Sequence, residues 1–210
     1  MRKLKLGSDG IGSRFAEIEL FRVKFLIVVL SFGAALLSGC TVVLTNPPTN
    51  SQRIGANLRL LGKWTGQDEK GNRGFIKFDK GSNMEINVSI FGEKGDLGYQ
   101  NPVFTMITRK IGRYNYMVLN ATESSTPPGY VIARFSIAHG KLKIWTLSTQ
   151  KVKEAITNGT LKGTDVGGPF GSVTVTNTSQ EIATLLRSAK SDALFVSFGE
   201  FERVSGSEYH

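Results

Sequence analysis

Apolar side chains recur with a period of two along residues 84–90, 114–119 and 130–137. Successive side chains of an extended strand point to opposite faces, so this alternation predicts β-strands. In the second stretch both faces carry apolar side chains. We therefore expect this strand to be a cavity wall that is covered on its outer side by a second layer.

Shorter apolar stretches lie between glycine-containing turns. They cover residues 58–65, 74–79, 102–109, 141–147 and 195–204. Regularly spaced short strands with turns of this kind favour an antiparallel arrangement. The sequence therefore predicts a mainly β fold, either a barrel or a closed sandwich, with one or two short helices.

Two segments, residues 151–157 and 179–190, change to helical spacing. The second is the main predicted helix, since Thr178 and Glu181 fit a capping box at its start. Its apolar positions follow the helical period: Ile182, Leu185, Leu186 and Ala189. We expect that face to cover or plug the sheet.

Near the N-terminus, residues 25–37 form a largely apolar run of 13 residues, preceded by Arg22 and Lys24. A helix of this length spans about 20 Å, whereas the hydrocarbon core of a bilayer is about 30 Å thick. As a helix, the run is therefore too short to cross the hydrocarbon core of a bilayer. Its length and flanking charges are those of a secretory signal.

The tetrapeptide Leu37-Ser38-Gly39-Cys40 ends this run and resembles the lipobox of bacterial lipoproteins. The resemblance implies that residues 1–39 are a signal peptide, cleaved between Gly39 and Cys40. It also implies that Cys40, the only cysteine, carries diacylglyceryl and an amide-linked acyl chain such as palmitate. Thr41 follows instead of aspartate. In a Gram-negative cell this implies export to the periplasmic face of the outer membrane.

Residues 1–22 are long for the positive segment of a signal, and they contain Asp9, Glu17 and Glu19. One hypothesis is a start codon placed too far upstream, with translation beginning at Val23. Under either interpretation we expect no fold in residues 1–22.

Domain boundaries follow from composition. Residues 40–56 are predicted to be the lipidated cysteine and a flexible tether, because Pro47, Pro48 and their polar neighbours bury little apolar surface. Residues 57–204 then form a single β-barrel domain, and residues 205–210 form a tail. A domain of about 150 residues is large enough to bury its own core.

Charge limits the classes of partner. The chain has 26 Lys and Arg against 17 Asp and Glu, a net charge of +9, and residues 40–210 retain +6. The cations are spread out, and the densest cluster, Arg109, Lys110 and Arg113, lies at a predicted turn. Nucleic-acid binding needs a basic stripe with interleaved aromatics, so we expect none. Weak attraction to anionic lipid or to anionic polysaccharide fits this charge better.

The stretch Gly62-Lys63-Trp64 resembles the Gly-x-Trp motif on the first strand of lipocalins and related barrels. In that family the tryptophan closes one end of the barrel and an arginine packs over its ring. The resemblance implies that Trp64 and Arg203 have these roles here through a cation–π contact. The chain departs from the family by placing its main helix before the last strand.

Catalytic groups are sparse. His139 lies in a predicted turn, His210 is the last residue, and no Gly-x-Ser-x-Gly motif supplies a nucleophile. We therefore expect no enzymatic activity, no cofactor and no metal. A carboxylate-based hydrolase is the enzymatic alternative. The glycine-rich stretch 165–172 lacks the Gly-Lys-Ser/Thr of a phosphate loop and is predicted to be a mobile surface loop.

Two functions remain open. The first is a non-enzymatic, lipid-anchored module that binds a small apolar or amphipathic ligand in a cavity. The candidate lining residues are Tyr114, Tyr116, Val131 and Phe135. The alternative is a structural or protein-interaction lipoprotein of the cell envelope with a packed core. Expected partners are the membrane, through the lipid anchor, and either a small apolar ligand or an envelope protein.

Overall fold

A computed structural model describes residues 42–48, 52–54, 57–67, 73–92, 104–121, 129–165 and 172–204. Its strands are β1 (Val42–Leu44), β2 (Gln52–Ile54), β3 (Gly62–Gln67), β4 (Arg73–Lys80), β5 (Ile86–Gly92), β6 (Phe104–Ile111), β7 (Tyr114–Ala121), β8 (Gly129–Ala138), β9 (Lys141–Leu147), β10 (Gly163–Asp165), β11 (Val173–Val175) and β12 (Phe195–Arg203). Its helices are α1 (Thr149–Thr157), α2 (Ser179–Arg187) and a 3₁₀ helix (Ala189–Leu194).

Eight of these strands close into an antiparallel barrel. Strands β3 to β9 pair in chain order, and β12 returns to lie between β9 and β3. Each neighbouring pair is antiparallel, so the wall has no free edge around its circumference. The predicted mainly β barrel with few short helices is confirmed.

Among the described connections, the one between β8 and β9 is a tight turn at the predicted position. His139 and Gly140 form the two-residue turn between β8 and β9, with φ values of 51° and 75°. Two successive positive φ values define a type I′ turn, whose twist matches that of the paired strands. The exposed His139 is therefore a turn residue.

A second layer covers one side of the barrel. Between β9 and β12 the chain forms α1, the hairpin β10–β11, α2 and the 3₁₀ helix. The capping box of α2 is present: the Thr178 hydroxyl accepts from the Glu181 amide, and the Glu181 carboxylate accepts from the Thr178 amide. This helix ends at Arg187 instead of continuing to residue 190, because Ser188 is extended.

The N-terminal segment belongs to this second layer. Strand β1 pairs in parallel with β11, and Leu44 pairs with Tyr130 of β8. Val42, Val43 and Leu44 are only 4%, 5% and 2% exposed. Strand β2 also joins the sheet, by pairing with β6.

This integration corrects the prediction of a flexible tether over residues 40–56, as far as that segment is described. The composition of the segment as a whole is polar, so it did not indicate that the three consecutive apolar residues Val42, Val43 and Leu44 form a buried strand. Gly129 accommodates them, since a Cβ there would lie 2.5 Å from a methyl carbon of Val43 and 2.6 Å from the Leu44 carbonyl oxygen. The folded domain therefore includes β1 and does not begin at residue 57.

The predicted signal peptide, with Gly39 and Cys40, lies outside the described residues, as do the tail 205–210 and residues 166–171 of the predicted loop. The two helices and the 3₁₀ helix named above are short, and within the described ranges no helix has the length and hydropathy needed to span a bilayer.

Candidate functional site

One end of the barrel is closed by a tryptophan and an arginine. Trp64, on β3, is fully buried, and its Nε1 donates a 2.7 Å hydrogen bond to the Leu60 carbonyl. The Arg203 guanidinium, from the end of β12, lies 4.5 Å from the centre of the Trp64 ring. It also donates to the carbonyls of Leu61, at 2.7 Å, and Arg59. The structure thus brings together the two residues that the lipocalin resemblance paired.

The glycine of the Gly-x-Trp stretch has a physical role in this closure. Gly62 has a φ of 114°, which side-chain-bearing residues rarely adopt. A Cβ at Gly62 would also lie 3.0 Å from an Arg203 guanidinium nitrogen. Glycine therefore gives both the backbone conformation and the space that Arg203 needs beside Trp64.

The middle of the barrel is filled with apolar side chains. Strand register places one set of alternate residues on the inner face, the face that carries Trp64. Its buried members include Ile76, Phe78, Ile86, Val88, Met106, Met117, Ala133, Phe135, Leu142, Ile144 and Phe201. Side chains that line a water-sized void would retain accessible surface, so these residues pack against one another.

The inner face becomes more accessible at the opposite end, which we call the far end. Its half-buried inner residues are Ile90, Phe104, Leu119, Val131 and Thr146. Each lies near the end of its strand, and the segments that join these strands, 93–103 and 122–128, fall outside the described residues. The far end thus carries most of the accessible apolar side chains of the described interior, whereas Ile137 is a half-buried inner residue at the Trp64 end.

The four predicted lining residues do not share one cavity. Val131 and Phe135 lie on the inner face, Val131 at the far end and Phe135 in the packed middle. Tyr114 and Tyr116 lie on the outer face. Tyr116 pairs with Arg134, and the residue next to Arg134 along β8, Phe135, points into the barrel, so Arg134 and its partner Tyr116 point outward. This corrects the assignment of the two tyrosines to the cavity.

Tyr116 instead belongs to an apolar cluster between the barrel wall and the second layer. Its ring lies 5.9 Å from that of Phe195. The cluster also contains Val42, Leu44, Val118, Ile132, Val152, Val173, Ile182 and Leu186. Strand β7 is thus buried on both faces, as its sequence predicted, but with the tyrosines outside. Burial raises the pKa of the Tyr116 hydroxyl to about 12.

A charged network holds the second layer beside this cluster. Asp192 of the 3₁₀ helix accepts hydrogen bonds from Arg134 at 2.8 Å, Arg113 at 2.7 Å and the Tyr114 hydroxyl at 3.1 Å. Burial alone would raise the pKa of Asp192, but these three hydrogen bonds lower it below its ordinary value. Arg134 and Asp192 were not among the predicted site residues. The sequence signal that could have indicated this network is an arginine within an apolar strand.

Glu200, a carboxylate that a hydrolase could use, is held in surface ion pairs. Glu200 accepts from Lys141 and Lys143, at 2.7 and 2.8 Å, and these hydrogen bonds lower its pKa to about 2. A general acid needs a raised pKa, so Glu200 is poorly suited to that role. Across the described ranges, no three His, Cys, Asp or Glu side chains are grouped to hold a metal ion.

A groove of about 540 Å³ runs along the outer wall of the barrel, beside Arg73, Phe75, Glu200, Glu202 and Arg203. Four of its nine lining residues are charged, and two more, Thr65 and Gln67, are polar. Such a lining suits water and ions better than an apolar ligand, because an apolar ligand would remove water from charged and polar groups without replacing its hydrogen bonds. We therefore place the candidate site at the far end of the barrel and not in this groove.

These features define a closed, eight-stranded antiparallel barrel, consistent with a lipocalin-like barrel. One of its ends is sealed by Trp64 and Arg203. No protein-family model matches the chain, and no curated protein or solved structure matches it significantly.

Proposed function

We propose that the protein binds a small apolar or amphipathic ligand at the far end of its barrel, without catalysing a reaction. The observation that carries the proposal is the asymmetry of the interior. One end is sealed by Trp64 and Arg203, whereas the inner residues at the other end, such as Leu119 and Val131, are half-buried. Binding sites for small molecules are concave and largely apolar, and the mouths of β-barrels are among their usual places.

The packed middle of the barrel restricts what such a ligand can be. Phe78, Phe135 and Phe201 are each about 2% exposed, so the ligand is held near the far end and does not reach Trp64. The same packing favours the second candidate function, an interaction protein of the cell envelope that uses the barrel only as a scaffold. The two functions differ in whether a small apolar molecule binds saturably.

The test uses an environment-sensitive apolar fluorophore and a matched pair of variants on β7. Leu119 faces the interior at the far end, and the adjacent Asn120 is exposed on the outer face. Leu119→Trp fills the site, so we expect at least a tenfold weaker affinity, equivalent to about 1.4 kcal/mol. Asn120→Trp adds the same side chain outside and should leave the affinity unchanged.

Equal weakening by the two variants would place the dye on the surface and contradict the proposal. If the unmodified protein takes up no dye saturably, the ligand-binding function fails and the interaction function leads. The first surface to mutate would then be the predicted loop 165–172.

We further propose that Cys40 is lipidated and holds the protein at the periplasmic face of the outer membrane. The support is the apolar run that ends in Leu37-Ser38-Gly39-Cys40, with Thr41 after it. Cys40→Ser should leave an unprocessed precursor of higher mass, whereas Thr41→Ser should be processed normally. Normal processing of Cys40→Ser would overturn the assignment.

A further inference from the structure

The proposed lipidation site lies very close in sequence to the folded domain. Only Thr41 separates Cys40 from Val42, the first residue of β1. Two residues of chain span at most about 7 Å even when fully extended. The contacts that hold β1 in the domain therefore also fix the distance between the proposed lipid and the barrel.

Strand β1 is held by backbone pairing, burial and flanking hydrogen bonds. Thr45 donates to the Val175 carbonyl through its amide, at 3.0 Å, and through its hydroxyl, at 3.2 Å. The Asn46 side chain donates to the Asn177 carbonyl at 3.1 Å. Releasing β1 as a tether would break these contacts and expose three apolar side chains, so the folded domain keeps the strand in place.

Building on the proposed lipidation, we infer that the domain lies directly on the bilayer surface, with the wall formed by the β10–β11 hairpin, beside the buried strand β1, against the lipid headgroups. Thr164 of β10 pairs with Thr174 of β11, which pairs with Val43. Strands are spaced by about 4.8 Å, so Thr164 is about 10 Å from Val43. This wall is the part of the domain that a lipid at Cys40 brings to the membrane.

The opposite wall gives the matched control. Strand β4 is four strands from β8 in either direction around the barrel. Eight strands spaced by about 4.8 Å have a circumference of about 38 Å, which makes the barrel at least about 12 Å across, and strand tilt widens it. Lys77 on β4, with a side chain 41% exposed, is therefore well removed from the inferred membrane contact.

The experiment uses the full-length lipidated protein in vesicles of equal parts phosphatidylethanolamine and phosphatidylglycerol. Thr164→Cys and Lys77→Cys are labelled separately with one fluorophore, since acylation consumes the Cys40 thiol. Some vesicles carry a nitroxide on the lipid headgroup, which quenches only at short range. Intact mass of the purified protein verifies the acyl chains before quenching is measured.

We expect the label at residue 164 to be quenched at least twice as strongly as the label at residue 77. A ten-residue Gly-Ser insertion between Thr41 and Val42 adds a reach of about 17 Å and should make the two labels nearly equal. Equal quenching without the insertion, or stronger quenching at residue 77, would overturn the inferred contact while lipidation stands. A mass without acyl chains would instead overturn the proposed anchor, and the inference with it.

Discussion

The closure formed by Trp64 and Arg203 allows a quantitative test in which Arg203→Lys keeps the charge and removes the planar fork. The guanidinium donates to two carbonyls, those of Leu61 and Arg59, and stacks on the Trp64 ring at 4.5 Å. A charged hydrogen bond contributes about 1.5–3 kcal/mol, and an exposed cation–π contact about 0.5–1 kcal/mol. A lysine at position 203 can keep one of the two hydrogen bonds, and exposure to solvent weakens the contacts that are lost. We therefore expect Arg203→Lys to lower the free energy of unfolding by about 2 kcal/mol.

The assay is urea unfolding of a soluble form that lacks residues 1–40, monitored by tryptophan fluorescence and circular dichroism. A double-mutant cycle with Trp64→Leu isolates the stacking contribution. Trp64→Leu alone should cost about 3 kcal/mol, because it leaves part of a fully buried site empty. The coupling energy between the two substitutions should be about 0.5–1 kcal/mol.

Arg73→Lys is the matched control, since Arg73 is exposed on the outer wall and most surface changes cost less than about 0.5 kcal/mol. If Arg203→Lys is as mild as Arg73→Lys, the carbonyl contacts do not stabilise the closed end. A coupling energy below about 0.3 kcal/mol would refute the stacking contribution.

Three further substitutions test other parts of the fold. Leu44→Ala should cost about 2–5 kcal/mol in urea unfolding because Leu44 is buried under the second layer, whereas a residue in a tether would cost nothing. Met84→Gly should stabilise the domain by about 0.5–1 kcal/mol, since Met84 is 54% exposed with a φ of 67° in a turn that favours glycine. If thermal unfolding shows a loss of stability, this turn is not strained. Lys162 and the Thr178 amide lower the pKa of Glu181 from 4.5 to about 2, so its stabilising effect is complete above about pH 4.5 and is lost as the pH falls towards 2. Glu181→Gln should flatten that part of the stability profile, and an unchanged acid slope would contradict this role.

The sequence predicted the strands whose signal is local. Strand β9 has the predicted bounds, and β7 and β8 extend the predicted stretches by one or two residues at their ends. Alternation was sufficient here because each strand separates two chemically different sides or lies between clear turns. The capping box at Thr178 was equally local, since its two hydrogen bonds join residues three positions apart.

The sequence could not determine which face of β7 points into the barrel. A period of two identifies two faces, but it distinguishes inside from outside only when one face is polar. Here the face with Tyr114 and Tyr116 is covered by α2 and the 3₁₀ helix, and the face with Met117 fills the barrel. Only the long-range pairing of Tyr116 with Arg134, and of Asp192 with both Arg134 and Tyr114, resolves the choice.

The second layer also explains how a short N-terminal strand can be stable. Three residues are too few to hold a strand by backbone pairing alone, so β1 depends on burial of Val42 and Leu44 against the apolar cluster. That cluster exists only because the chain between β9 and β12 forms two helices and a hairpin on the outer wall. The segment between β9 and β12, which distinguishes this barrel from the lipocalin pattern, is therefore the one that holds β1 against the domain. In the proposed lipoprotein, the same segment sets the distance between the barrel and the membrane.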